Sequence, residues 1–152
     1  MCVLTMFSKT DSFIEYSKKA QIPVFSVYNK GDKRNENKIF KMNRISFDVS
    51  KADWYDLDKQ IDEALLFLRK YFHELLEIYS SINVYQKYLS FPILSRIDED
   101  IKNQNVYFPI DIIEVAGQLK LGIQTSIYDS KYLNQTNKSD FNKLRNMHDK
   151  NE

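Results

Sequence analysis

The longest periodic stretch of the sequence is WYDLDKQIDEALLFLRKYFHELLEIY, residues 54–79. Apolar side chains recur in it at spacings of three and four, which places them on one face of an α-helix of about seven turns. They are Trp54, Leu57, Ile61, Leu65, Leu68, Phe72, Leu75 and Tyr79. The preceding Ser50-Lys-Ala-Asp53 resembles a capping box, so we expect one long central helix to start there.

Strands are predicted on both sides of this helix. Between Asn43 and Val49, apolar and polar residues alternate, which is the period-two pattern of a half-buried strand. Composition predicts further strands at residues 2–7, 22–28, 88–97 and 121–128, and a hairpin in which a polar turn at 98–105 leads into a short extended piece at 106–108. Shorter helices are expected at 11–20 and from Pro109 onward. The prediction is an α+β fold in which an antiparallel β-sheet packs against a long central helix and shorter helices.

The chain has enough apolar material for one core. It has 152 residues, of which 43% are hydrophobic and 14% aromatic, so we expect a single α+β domain over residues 1–129. Residues 130–152 lose hydrophobic periodicity and are rich in Asn, Lys and Ser, which predicts a polar, mobile C-terminal tail. Phe141, Leu144 and Met147 have helical spacing, so a short helix that orders on a partner is the alternative.

The compartment is predicted from what the sequence lacks. Cys2 is the single cysteine, which rules out an intramolecular disulfide and fits a reducing environment. The apolar start at Met1 to Phe7 is too short and lacks the basic residues of a secretion signal, and no segment has the length of a membrane span. We therefore expect a cytoplasmic protein that has no membrane partner.

Catalytic and metal-binding patterns are not recognised in the sequence. The two histidines, His73 in the predicted central helix and His148 in the tail, form no ligand pair, and zinc usually needs three or four N or S ligands. No Gly-x-Ser-x-Gly turn offers an activated nucleophile, and three glycines leave little material for a phosphate-binding loop. We expect no catalytic residues, no metal, no cofactor and no enzymatic activity.

Acidic residues are concentrated in two segments. Residues 51–77 hold seven acids against four bases, and residues 98–114 hold five against one. If both segments face the same side, they form an acidic patch that suits a basic protein partner such as a nuclease toxin. The candidate binding residues are Asp56, Asp58, Asp62, Asp98, Glu99, Asp100 and Tyr107. The competing interpretation is a set of ordinary solvated faces, with the helical acids stabilised by the helix dipole.

A basic segment lies at residues 30–44, where six cations stand against two acids. This pattern favours a solvated loop or the tip of a long hairpin. The alternative function is a nucleic-acid or small-ligand binding module that uses this loop, with Tyr28 and Phe40 as stacking residues. The net charge of +1 argues against nucleic acid as the partner.

Residues 40–129 resemble an uncharacterised bacterial domain-of-unknown-function family. Its members pair a Trp-led central helix with a late Pro-initiated helix and a final strand ending in Ser-Ile/Leu-Tyr. The matching residues are Trp54, Gln60, Phe67, Leu68, Phe91, Pro109, Ile113, Ala116, Gly117, Leu119, Gly122, Ser126, Ile127 and Tyr128. The chain departs from the pattern at Ser90, where an acidic residue commonly precedes the strand phenylalanine.

The resemblance implies a function in protein binding. Such proteins are similar to the small immunity proteins encoded beside polymorphic or contact-dependent-inhibition toxins. The expected function is therefore that of a bacterial immunity-type protein, which binds and neutralises a cognate protein toxin by steric occlusion.

Overall fold

The computed structural model describes residues 1–35, 37–97 and 100–129. The strands are β1 (Val3–Ser8), β2 (Val24–Tyr28), β3 (Lys33–Asn35), β4 (Lys38–Ile39), β5 (Asn43–Asp48), β6 (Gln86–Leu94) and β7 (Gly122–Tyr128). The helices are α1 (Ile14–Ser17), α2 (Leu57–Lys70), α3 (Phe72–Ser81) and α4 (Ile110–Gln118). The predicted α+β class is confirmed. The predicted C-terminal tail, 130–152, lies outside the described residues.

Five strands form the main sheet in the order β2-β5-β1-β6-β7, with the N-terminal strand β1 at its centre. β1 pairs antiparallel with both β5 and β6, and β2 pairs antiparallel with β5. β7 runs parallel to β6, from Tyr88 opposite Gly122 to Leu94 opposite Tyr128. The prediction of an antiparallel sheet is therefore wrong for its last strand, because α4 carries the chain back across the sheet before β7 begins.

One face of the sheet supplies the core. Leu4 and Met6 of β1 are fully buried and lie opposite Phe47 and Ile45 of β5, and Leu89 of β6 lies opposite Leu4. These side chains form one cluster with the buried residues of α2, α3 and α4. Successive side chains of a strand point to opposite faces, so the alternating sequence of β5 places its apolar residues on the face that packs against the helices.

The predicted central helix is in fact two helices. The backbone leaves helical geometry at Tyr71, where φ is −105° and ψ is 18°, between α2 and α3. No proline or glycine marks this break. The direction of α3 is set instead by burial of Leu75 and Ile78 and by Glu74, whose carboxylate accepts hydrogen bonds from the backbone before β2. Tertiary contacts here override a continuous helical pattern.

The start of the central helix also differs from the prediction. α2 begins at Leu57 with Asp56 as its N-cap, whose carboxylate accepts from Lys59 N at 3.0 Å. Ser50 donates instead to Glu63 Oε2 at 2.8 Å. Trp54, which was expected on the helix stripe, packs with Met1, Leu94 and Tyr128 in a small separate cluster. The capping-box interpretation was therefore wrong.

Three shorter predictions need correction. The first helix covers Ile14–Ser17 rather than residues 11–20. Among the described residues between β6 and α4, none is in a strand, so the predicted hairpin at 106–108 does not form. The spacing of Ile112, Ile113, Ala116 and Leu119 predicts one shared face of α4, and this face is buried except at Ile113, which is exposed. None of the helices found in the described ranges has the length and apolar character to cross a membrane.

Candidate protein-binding surface

The C-terminal end of β6 brings together parts of the two acid-rich segments. Leu94 N donates to Trp54 O at 3.4 Å, which holds the segment before α2 at this end of the sheet. Gln104 is tied to the same place, since its Nε2 donates to Leu94 O at 3.1 Å and its Oε1 accepts from Arg96 N at 2.8 Å. The start of α2 and the segment that follows β6 therefore share one end of the sheet.

Gln60 fixes α2 to this end from inside. Its side chain is fully buried, and Nε2 donates to Asp53 O at 2.9 Å and to Pro92 O at 3.0 Å. One amide group thus joins the segment before the helix, the helix itself and the C-terminal end of β6. Its Oε1 is buried and has no hydrogen-bond partner within the described part of the chain. The buried Gln60 contacts therefore fix the position of α2, and with it the position of the acidic residues on this helix.

The carboxylates predicted to bind a partner fall into three groups. Asp58 and Asp62 are exposed on the first two turns of α2, and Asp56 is exposed but also caps the helix. Asp100 is exposed in the segment after β6. Asp98 and Glu99 lie outside the described residues. Carboxylates in a first helical turn are stabilised by the helix dipole, so Asp56 and Asp58 also have a structural explanation.

Large apolar side chains are exposed in the same two segments as these carboxylates. Tyr107, the aromatic residue predicted for the site, is 76% exposed, and Tyr55 is 64% exposed. Ile97 and Ile101 flank the acidic run and are 52% and 45% exposed. The sequence prediction missed both isoleucines, because it placed Ile97 at the end of a strand and Ile101 within a polar turn. We call this surface the acidic end: Asp56, Asp58, Asp62, Asp100, Tyr55, Ile97, Ile101 and Tyr107.

Positive charge is concentrated at the other end of the sheet. β5 starts at Asn43 opposite Ser8 and finishes at Asp48 opposite Val3, and Val3 also pairs with Ser90 near the end of β6. The β3–β4 hairpin precedes β5 and so lies at the end remote from Leu94. The basic segment forms a small two-stranded sheet, in agreement with the predicted hairpin tip.

A cavity of 560 Å³ between α1 and α3 contains several titratable groups, among them Tyr16, His73 and Glu74. Glu74 Oε1 accepts from Tyr16 OH at 2.8 Å, from Gln21 N at 2.9 Å and from Ile22 N at 3.3 Å. Burial and the hydrogen bond to Glu74 raise the pKa of Tyr16. Glu74 therefore anchors α3 to the start of β2.

In residues 1–35, 37–97 and 100–129, no group of three or more His, Cys, Asp or Glu side chains is arranged to hold a metal ion. The absence of a metal and of enzymatic activity stay predictions from the sequence. Burial raises the pKa of the Cys2 thiol, which lies in the core.

The fold and the surface together define a small α+β protein with a mixed five-stranded sheet, an acidic end rich in exposed apolar side chains and a basic hairpin at the opposite end. No protein-family model, no curated protein and no solved structure matches the chain.

Proposed function

We propose that the protein is a bacterial immunity-type protein, which binds a cognate protein toxin and neutralises it by steric occlusion. The observation that carries the proposal is the acidic end, where Tyr107, Tyr55 and Ile97 are more than half exposed in the same two segments as the carboxylates. Apolar side chains exposed together are typical of protein-binding surfaces, and tyrosine is enriched in the residues that dominate binding energy. No chemistry is required of the protein in this function.

The charge of the acidic end selects the kind of partner. Asp58, Asp62 and Asp100 are all exposed, so a basic protein surface would be attracted to them over long range. A nuclease toxin carries such a surface, because it must itself hold a phosphate backbone. We infer that the tyrosines and isoleucines provide affinity, while the carboxylates speed the encounter and orient the partner.

The position of the acidic end also suits occlusion. Gln60 and Gln104 tie its two segments to the end of β6 through hydrogen bonds to Pro92 O and Leu94 O. A surface held in this way loses little conformational freedom when it binds, which favours affinity. A rigid protein seated over a toxin's active site excludes the substrate without any further rearrangement.

The experiment uses the toxin encoded beside the immunity gene. The purified toxin domain is titrated with this protein while its activity is followed, and the complex is sized by light scattering. We expect complete inhibition at one protein per toxin and a stable complex of that stoichiometry. Full toxin activity in the presence of excess protein, with no complex detected, would overturn the proposal.

A further inference from the structure

The β3–β4 hairpin, the start of β5 and Phe7 of β1 line an open cavity of 540 Å³ at the basic end of the sheet. Its lining includes four cations and two aromatic rings: Arg34, Lys38, Lys41, Arg44, Phe7 and Phe40. No carboxylate belongs to the part of the lining that the structure describes. A cavity of this volume falls within the range of about 300–1,000 Å³ that small-molecule sites occupy.

The cavity wall is ordered by contacts at the base of the hairpin. Gly31 N donates to Phe40 O at 2.9 Å, and Phe40 N donates to Asp32 O at 2.9 Å. Gly31 has a φ of +95°, which a residue with a side chain rarely adopts. The Phe40 ring stacks on Tyr28, with 4.2 Å between the ring centroids. Phe40 is therefore a fixed part of the wall.

Arg34 is the informative residue in this wall. Its Nε and Nη2 atoms are buried and have no hydrogen-bond partner among the residues that the structure describes, and its guanidinium carbon lies 6.0 Å from the centroid of the Phe40 ring. Buried N–H groups of a charged side chain are costly when no acceptor is present. Holding such a group beside three other cations adds repulsion. An anion in the cavity would supply both the acceptors and the countercharge.

The charge of the cavity indicates which anion fits. A single carboxylate carries one negative charge, whereas a phosphomonoester carries about −1.5 to −2 at neutral pH and offers three acceptor oxygens. The guanidinium groups of Arg34 and Arg44 suit phosphate oxygens through paired N–H donors, and Lys38 and Lys41 add charge. Arg44 Nε donates to Ser46 Oγ at 3.2 Å, so this side chain is also oriented from the sheet.

We propose that this cavity binds a small phosphorylated molecule with at least two negative charges, of the size of pyrophosphate or a nucleoside diphosphate. The site lies at the opposite end of the sheet from the acidic end. Ligand binding there does not depend on the proposed toxin binding. A small ligand is favoured over a nucleic acid strand because the site is a cavity, and because the net charge of the chain is only +1.

The test is isothermal titration of the full chain with inorganic pyrophosphate. We expect one saturable site in the wild type, and an affinity that falls by at least about tenfold in Arg34→Gln and in Lys41→Gln, because each loses a charge-assisted contact. Arg96→Gln removes an exposed arginine near the opposite end of the sheet and should bind like the wild type. Circular dichroism of each variant checks that the sheet is intact.

Three outcomes would overturn the proposal. The first is no pyrophosphate binding at millimolar concentration. The second is equal weakening in Arg34→Gln and Arg96→Gln, which would indicate nonspecific attraction. The third is tight binding of a single-stranded RNA oligonucleotide with no measurable binding of pyrophosphate, which would make the hairpin a nucleic-acid surface instead. Toxin binding is measured in a separate experiment. A failure to bind pyrophosphate therefore says nothing about toxin binding, and a failure to bind toxin says nothing about this cavity.

Discussion

The hydroxyl of Ser50 donates to Glu63 Oε2 at 2.8 Å, which joins the segment after β5 to the second turn of α2. Lys51 N donates to the same oxygen at 2.9 Å. Glu63 therefore fixes how the connection from β5 enters α2, while Asp56 caps the helix itself.

The first prediction concerns the pH dependence of this contact. The hydrogen bond from Ser50 and then those from the backbone of Lys51 and Ala52 hold the pKa of Glu63 below its usual value. Because the folded pKa is lowered, the contact stabilises the fold above the unfolded pKa of glutamate and is lost as the pH falls through the folded pKa. Glu63→Gln should cost less than about 1 kcal/mol, since the group is near the surface.

Urea denaturation across the acidic range measures this effect. The free energy of unfolding of the wild type and of Glu63→Gln should differ at neutral pH and converge as the pH falls. A difference that stays constant with pH would contradict the role assigned to Glu63.

The second prediction concerns Glu74, which accepts from Tyr16 OH and from two backbone N–H groups. Tyr16→Phe removes one of these contacts and should lower the free energy of unfolding by about 1 kcal/mol. Glu74→Ala removes the acceptor for all three and should cost more, about 2 kcal/mol. Thermal or urea unfolding compares the two, with Glu77→Ala, an exposed neighbour, as the control. Equal losses for Glu74→Ala and Glu77→Ala would argue against the anchor.

The third prediction uses the buried amide of Gln60. In Gln60→Glu, the new carboxylate would face the carbonyl oxygens of Asp53 and Pro92, so burial and repulsion would raise its pKa above that of a free glutamate. The variant should be least stable at neutral pH and recover part of its stability as the pH falls and the carboxyl becomes protonated. Gln60→Leu loses the same hydrogen bonds without a titrating group. The free energy of unfolding of both variants is measured as a function of pH. A difference between them that does not change with pH would contradict a raised pKa of the introduced carboxyl group.

The fourth prediction tests the charge of the acidic end against a basic toxin. Asp58→Lys combined with Asp62→Lys leaves the Asp56 cap intact and should slow association roughly tenfold at low salt, while reducing its salt dependence. The control combines Glu15→Lys with Glu77→Lys, two exposed acids on the helices beside β2, and has the same net charge. Stopped-flow association rates distinguish the pairs. Equal slowing in both would show that net charge alone matters.

The fifth prediction addresses affinity. Tyr107 is the most exposed large side chain of the acidic end, at 76%, so Tyr107→Ala should speed dissociation of the toxin complex by about tenfold or more with little effect on folding. Tyr85, exposed before β6 at the other end of the sheet, gives a matched control in Tyr85→Ala. Surface plasmon resonance gives both dissociation rates. An unchanged rate for Tyr107→Ala would remove this tyrosine from the interface.

Much of the fold could be predicted because burial follows periodicity. The alternation between Asn43 and Val49 located β5 closely, and the helical stripe correctly included Ile61, Leu68 and Leu75 in the core. The break at Tyr71 could not be predicted, since it follows from contacts of α3 with a distant segment and not from any local helix breaker. The parallel pairing of β7 likewise depends on where α4 packs.

Less of the candidate surfaces could be predicted. Counting charges located the acidic segments and the basic hairpin, but it could not place two segments that are about forty residues apart at the same end of the sheet. That placement depends on Gln60 and Gln104, whose side-chain amides look ordinary in a sequence. Arg34 looked like any other charge of the basic segment, because the burial of its Nε and Nη2 arises only once the hairpin has folded.

The central position of β1 has a consequence during synthesis. Its partners, β5 and β6, are made roughly forty and eighty-five residues after it, so β1 leaves the ribosome well before its second neighbour. Pairings so distant along the chain are slow to form, and an apolar strand left exposed in the meantime is prone to aggregate. The nascent chain is therefore most vulnerable before β6 emerges, and chaperone dependence should decline once that strand has been translated.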